Sequence, residues 1–235
     1  MSRTLRSLAL SIVAASALGA QVQPKQFAIT TRVGGVTTDR AASLDPAAVI
    51  GLDTEYSLRK WFGIGTAVDV SRGYTTKKDF LTRLRYGNAG TGGGDSIYYQ
   101  NIGQPVNTVN LSLFGTLRYP AKTVSPFLLA GVGTYTMILD AQVNGKATRK
   151  TDLSYTGGAG VSFKLGDRVG VQLDARAVTL NGYDRRFLNP ANGRAEQVTP
   201  FPEDFPVPPA SKNTALSTML TLGFRYIPAA IGGRN

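Results

Sequence analysis

The sequence predicts an all-β fold of eight antiparallel strands in up-and-down order, and three observations carry that reading. Apolar residues recur with period two, the period of a strand, while helical periodicity is nearly absent. Turn-forming residues separate the runs. The links between runs alternate strictly between short and long.

Phe27 to Val36 opens the series. In the second run Ile50, Leu52, Tyr56 and Leu58 alternate with Gly51, Asp53, Glu55 and Ser57. In the third, Phe62, Ile64, Val68 and Val70 alternate with Gly63, Gly65, Asp69 and Ser71. The fourth sets Val109, Leu111, Leu113, Leu117 and Tyr119 against Asn110, Ser112, Phe114, Thr116 and Arg118. Phe127 to Leu139 is the fifth. The sixth sets Leu153, Tyr155, Ala159, Val161 and Phe163 against Ser154, Thr156, Gly158, Gly160, Ser162 and Lys164. In the seventh, Val169, Val171, Leu173, Ala175 and Ala177 oppose Gly170, Gln172, Asp174 and Arg176. The eighth sets Leu216, Leu220, Leu222, Phe224 and Tyr226 against Ser217, Met219, Thr221, Gly223 and Arg225. Successive strand side chains point to opposite faces, so each run has one apolar and one polar wall.

Short links are expected at Arg59-Lys60, at Pro120 to Ser125 and at Gly166-Asp167, the last a tight hairpin signal. Long links are expected at Thr37 to Pro46, Thr75 to Pro105, Asn144 to Thr151 and Gly182 to Lys212. With antiparallel neighbours, every long link then lies at one end and every short turn at the other. Membrane barrels of the outer-membrane type have that asymmetry.

Alternation does not say which stripe faces out. A soluble lipocalin-like barrel in the periplasm, the rival reading, would bury the apolar stripe. Here the polar stripe is rich in Gly, Ser, Thr and Asn, with charges of both signs: Arg32, Asp53, Glu55, Asp69, Arg118, Lys164, Asp174, Arg176 and Arg225. A barrel of eight strands is just wide enough for its own side chains. Small residues leave room in it and opposite charges pair, so this stripe is placed inside as a charged network that plugs the lumen. The fold class is therefore an eight-stranded antiparallel up-and-down transmembrane β-barrel. Aromatic residues at the strand ends suit the two membrane interfaces. Phe27, Trp61, Phe62, Tyr119, Phe127, Phe163 and Tyr226 fall near the short-turn end, and Tyr74, Tyr135 and Tyr155 near the other.

The first residues read as an export signal, residues 1–20. Arg3 and Arg6 precede the apolar run Leu8 to Leu18, with Ala15-Ser16-Ala17 and Leu18-Gly19-Ala20 as cleavage sites. The run is shorter than the ~20 residues of a spanning helix. A barrel domain over 21–227 and a short tail over 228–235 follow. The chain has no cysteine, so a closed hydrogen-bonded sheet must supply what disulfides supply in many exported proteins. The net charge of +11 fits the anionic outer leaflet better than nucleic acid, which an exported chain rarely meets, and fits equally a solvated loop surface.

The runs from Phe27 to Tyr226 resemble the small outer-membrane barrel superfamily of OmpA-like and OmpX-like domains. Pro126-Phe127-Leu128-Leu129-Ala130-Gly131-Val132-Gly133-Thr134-Tyr135 resembles the Gly-rich strand in the middle of such domains. Thr221-Leu222-Gly223-Phe224-Arg225-Tyr226 resembles their terminal β-signal, although Ile227 to Asn235 follow it here. The resemblance implies location in the outer membrane and insertion by the barrel-assembly machinery.

Chemistry is sparse. The chain has no histidine, the usual base beside a Ser or Asp nucleophile and the commonest metal ligand. No enzymatic activity, cofactor or metal is expected, and Asp53, Glu55 and Asp69 are read as structural partners of Arg32, Arg118, Arg176 and Arg225. The second long link carries Lys77, Lys78, Arg83 and Arg85, candidate contacts for lipopolysaccharide phosphates. Its Gly-rich part, Asn88 to Gly94, lacks a P-loop signature and reads as flexible loop. The last long link holds Pro200, Pro202, Pro206, Pro208 and Pro209 beside Phe201 and Phe205, a segment that reads equally as a plain irregular loop or as one suited to a partner or to the barrel mouth. Two functions fit: a structural or surface-interaction protein, and a narrow transporter for small or apolar solutes.

Overall fold

Each run of alternating residues is a strand in the computed structural model, which describes residues 24–76, 81–86, 96–101, 103–121, 123–139, 148–183, 185–188 and 214–228. The strands are β1 (Gln26–Thr38), β2 (Ala47–Ser57), β3 (Phe62–Tyr74), β4 (Leu81–Tyr86), β5 (Ser96–Asn101), β6 (Pro105–Arg118), β7 (Val124–Leu139), β8 (Thr148–Lys164), β9 (Val169–Asn181) and β10 (Thr214–Tyr226). Eight of them form a closed antiparallel barrel in the order β1-β10-β9-β8-β7-β6-β3-β2. Closure is made by the first and last barrel strands: Thr31 pairs with Leu52 on one side and with Phe224 on the other. Among the described residues the wall has no free edge, which is the condition for a sheet to sit in hydrocarbon.

The apolar stripe faces out. On β10, Leu216, Leu220, Leu222, Phe224 and Tyr226 are exposed, while Ser217, Met219, Thr221 and Arg225 between them are buried. The same alternation holds on β2, where Ile50 and Leu52 are exposed and Asp53 and Glu55 are buried. Two outward hydroxyls, Thr54 and Thr66, bond each other at 2.8 Å across β2 and β3, so neither is unpaired on the lipid side.

The links divide as the sequence indicates, but several are shorter or more ordered than expected: Thr37 and Thr38 belong to β1, and Val124 and Ser125 to β7. The link from Thr75 to Pro105, expected as one long connection, contains the paired strands β4 and β5, from Leu81 opposite Asn101 to Tyr86 opposite Ser96. Thr148 to Thr151, read as part of the third long link, belongs to β8, pairing with β7 from Leu139 to Thr136. The export-signal segment, the Pro-rich part of the last link and residues 77–80 and 87–95 lie outside the described residues.

Membrane burial of the outer face gives a test. Leu220 is outward, 60% exposed and near the middle of β10. A Leu220→Arg substitution is expected to lower unfolding stability in phospholipid vesicles by ~2–4 kcal/mol, the cost of a cation at mid-bilayer depth. Urea titration followed by gel mobility measures it, and an unchanged midpoint would mean that this stripe does not face lipid.

Candidate functional site: the filled lumen

Alternation drives the inward residues of all strands into one narrow tube, so the contents of that tube are the candidate site. They fall into three layers.

At the short-turn end Glu55 on β2 receives two guanidinium groups. Arg118 Nε donates to Oε1 at 3.0 Å, Arg118 Nη2 donates to Oε2, and Arg225 Nη1 donates to Oε2 at 2.9 Å. Phe127, inward on β7, lies under the Arg118 guanidinium with 4.8 Å between Cζ and the ring centre. Gly63 makes the Glu55 position feasible, because a Cβ there would stand 2.6 Å from Oε1.

The middle layer is a connected set around Asp53. Arg32 Nη2 donates to Asp53 Oδ1 at 2.8 Å and to Asp69 Oδ1 at 2.5 Å. Arg176 Nη2 donates to Asp53 Oδ2 at 2.5 Å, and its Nε donates to Asp174 Oδ1 at 3.1 Å. Neutral groups extend the set. Thr221 Oγ1 donates to Asp174 at 2.8 Å, Gln172 Nε2 to Asp174 at 3.0 Å, and Asn110 Nδ2 to Asp69 at 3.3 Å. Gly51 leaves the space for this meeting, since a Cβ there would be 2.5 Å from Asp69 Oδ1. All eight of these charged side chains are buried, four arginines against four carboxylates, so the two layers together are neutral.

The third layer, toward the long links, is apolar. Val49, Val106, Met137, Leu139, Val178, Leu180 and Met219 point inward and pack with Tyr135. The links cover this layer. The 3-10 turn Arg40–Ala42 receives a hydrogen bond at 2.5 Å from the Tyr183 hydroxyl to the Ala42 carbonyl. The 3-10 turn Arg185–Leu188 places Leu188 in the cluster, and Gln104 Nε2 donates to the Leu188 carbonyl at 3.0 Å. Between the charged and apolar layers lies a cavity of about 10 Å³ bounded by Asp69, Ser71, Thr108, Asn110, Tyr135 and Ser217. That is space for about one water.

Of the residues assigned to the lumen network, Arg32, Asp53, Glu55, Asp69, Arg118, Asp174, Arg176 and Arg225 are brought together by direct ion pairs. Lys164 is not. It has the inward register of β8 but sits at its end, and its ammonium lies 3.3 Å from Asp167 in the exposed hairpin turn. Phe127 and Tyr135, assigned to the interfacial aromatics, also differ. The odd-numbered positions of β7 face inward, so Phe127 packs under Arg118 and Tyr135 joins the apolar layer. Trp61, Phe27, Tyr119, Phe163, Tyr226, Tyr74 and Tyr155 are exposed. Lys77 and Lys78 lie outside the described residues, and Arg83 and Arg85 fall on β4. The apolar layer had no sequence expectation. Its signal was the continuation of the inward register past Arg176 to Val178 and Leu180.

A closed strand wall with lipid-facing leucines and a charged, packed interior defines a transmembrane β-barrel of the small type. The sequence matches the outer membrane protein beta-barrel domain over residues 6–196, and the chain belongs to that family. Its location is accordingly the outer membrane. No curated protein matches it. Among solved structures, Neisserial surface protein A is 13% identical, with a TM-score of 0.52, covering 85% of this chain and 96% of that one. The outer membrane protein OprG from Pseudomonas aeruginosa is 12% identical, with a TM-score of 0.48, covering 90% and 100%. Ail, the attachment invasion locus protein of Yersinia pestis, is 12% identical, with a TM-score of 0.42, covering 87% and 100%. The likeness to Neisserial surface protein A, at this identity, is one of fold.

Asp53 joins both middle-layer arginines, so its loss leaves Arg32 with Asp69 alone, Arg176 with Asp174 alone, and the two charged layers together with one uncompensated positive charge. Asp53→Ala is expected to cost about 3–5 kcal/mol in vesicle unfolding titrations, the range for breaking one side of a buried pair. Lys164→Ala, which breaks only an exposed pair, is expected to leave the midpoint essentially unchanged. Equal effects of the two substitutions would mean that the middle layer is not a desolvated network.

Proposed function

We propose that this chain is a structural or surface-interaction protein of the outer membrane whose lumen is closed to solutes. The observation that carries the reading is the packing of the described lumen residues into successive layers. Two layers of paired charge and one apolar layer follow each other along the axis, and the one cavity described between them has about 10 Å³. A conducting path needs connected water, and the ion pairs and apolar packing of these layers support a tube without one. On this reading the exposed long-link side does the work. Lipopolysaccharide phosphates are its proposed partner, through Lys77, Lys78, Arg83 and Arg85. Pairing of β4 with β5 supports it, because a hairpin within the link carries two of those arginines in a defined register. A non-catalytic role fits a chain with no histidine. Export by residues 1–20 and insertion by the barrel-assembly machinery complete the proposal.

Planar-bilayer recording of the full-length protein tests the closed lumen. The wild type is expected to give no large stable openings. Arg176→Ala with Asp174→Ala, which removes a cation and an anion together, is expected to produce openings or flicker. Stable wild-type conductance would overturn the reading in favour of a narrow transporter.

A further inference from the structure

The short-turn rim carries a cluster of cations that the lumen does not use. Lys25 N–H donates to the Ser57 carbonyl at 2.6 Å, which fixes Lys25 beside the end of β2. Arg59 and Phe62 exchange backbone bonds at 2.9 and 3.3 Å, closing the β2–β3 hairpin around Lys60 and Trp61. Lys25, Arg59 and Lys60 therefore share one arc of the rim, and all three are exposed. None of them is paired with a carboxylate among the described residues. The described rim has one acid, Asp167, on the β8–β9 turn, and it is engaged by Lys164.

The arc has a defined depth. Trp61 is 55% exposed and tilted against Phe62, with 5.8 Å between ring centres. Phe27 and Tyr56 face outward beside it. Aromatic rings of this kind settle at the headgroup level, and flexible Lys and Arg stems carry their charges to the same level. The ligands present there at highest concentration are lipid phosphates. Clustered cations without internal partners attract anionic headgroups over zwitterionic ones.

We propose that Lys25, Arg59, Lys60 and Trp61 form a binding site for anionic phospholipid in the leaflet that faces the short turns. The site needs the barrel's orientation in the membrane but not a closed lumen, so conductance results do not bear on it.

Trp61 is the only tryptophan in the chain and reports on the site directly. The full-length protein is refolded in phosphatidylcholine vesicles containing a fixed mole fraction of either brominated phosphatidylglycerol or brominated phosphatidylcholine. Heat-modifiable gel mobility is checked on every sample, so failure of the barrel is seen separately. The expected result is several-fold stronger Trp61 quenching by the brominated phosphatidylglycerol. That excess should vanish at high salt, where exposed charges are screened. It should also vanish in the Lys25→Gln, Arg59→Gln, Lys60→Gln variant and persist in Lys164→Gln, Arg168→Gln. Equal quenching by the two lipids in folded wild type would overturn the proposal, as would an excess that survives the triple substitution. If the triple variant does not refold, the wild-type salt dependence decides alone.

Discussion

A peptide group in hydrocarbon has no water to bond, and every other feature of this barrel follows from that constraint. Each backbone N–H and C=O must find a partner in the sheet, so the sheet must close. β1 does this by pairing with β2 through Leu52 and its neighbours and with β10 through Phe224 and its neighbours. Closure at eight strands then fixes a tube only as wide as its own side chains. The inward residues cannot be left to solvent, and they cannot be bulky everywhere. Glycine at 51 and 63 and polar residues such as Ser71, Thr108 and Ser154 are the consequence, alternating with the long arginines that span the tube.

Desolvation divides the contents of the tube by depth. A buried ion pair is tolerated when each charge has several partners. Asp53 meets this by accepting from Arg32 and Arg176, and Asp174 by accepting from Arg176, Gln172 and Thr221. Toward the long links the demand is different. There the 3-10 turns and Tyr183 fold over the mouth, and apolar side chains such as Met137 and Leu180 can pack against them with no charge to satisfy. The charged part therefore staples strands across the axis, while the apolar part holds the links to the wall.

Period-two patterning made the wall legible in the sequence, because a one-residue slip would turn leucines such as Leu111 and Leu113 inward and Arg118 outward. The charged members of the lumen were legible for the same reason: their parity opposes that of the lipid-facing leucines. What parity could not convey is position along the axis. Lys164 shares the inward parity of Ser162 yet lies at the rim, where water and Asp167 are within reach. Phe127 and Tyr135 have ring chemistry suited to an interface, and ring chemistry alone does not reveal register. β7 has apolar residues on both faces, so its alternation was weak and its inward rings were hidden. The β4–β5 strands carry Leu, Thr, Ile and Tyr, but the Gly-rich residues 87–95 between them give the link as a whole the composition of a loop, which hid the pairing.

The distribution of cation types follows the same physics. Every cation in the two charged layers is an arginine, whereas the rim uses Lys25, Lys60 and Lys164 alongside Arg59 and Arg168. A guanidinium presents several N–H donors in a planar fork and is weakly hydrated, so it can serve two carboxylates at once when water is excluded. Arg32 does so for Asp53 and Asp69, and Arg176 for Asp53 and Asp174. An ammonium is a compact charge that holds its hydration tightly, which makes it costly inside the tube and suitable at a wet headgroup layer. The cations thus divide into four arginines neutralised inside the tube and a rim set in which Lys164 meets Asp167 while Lys25, Arg59 and Lys60 have no carboxylate partner among the described residues.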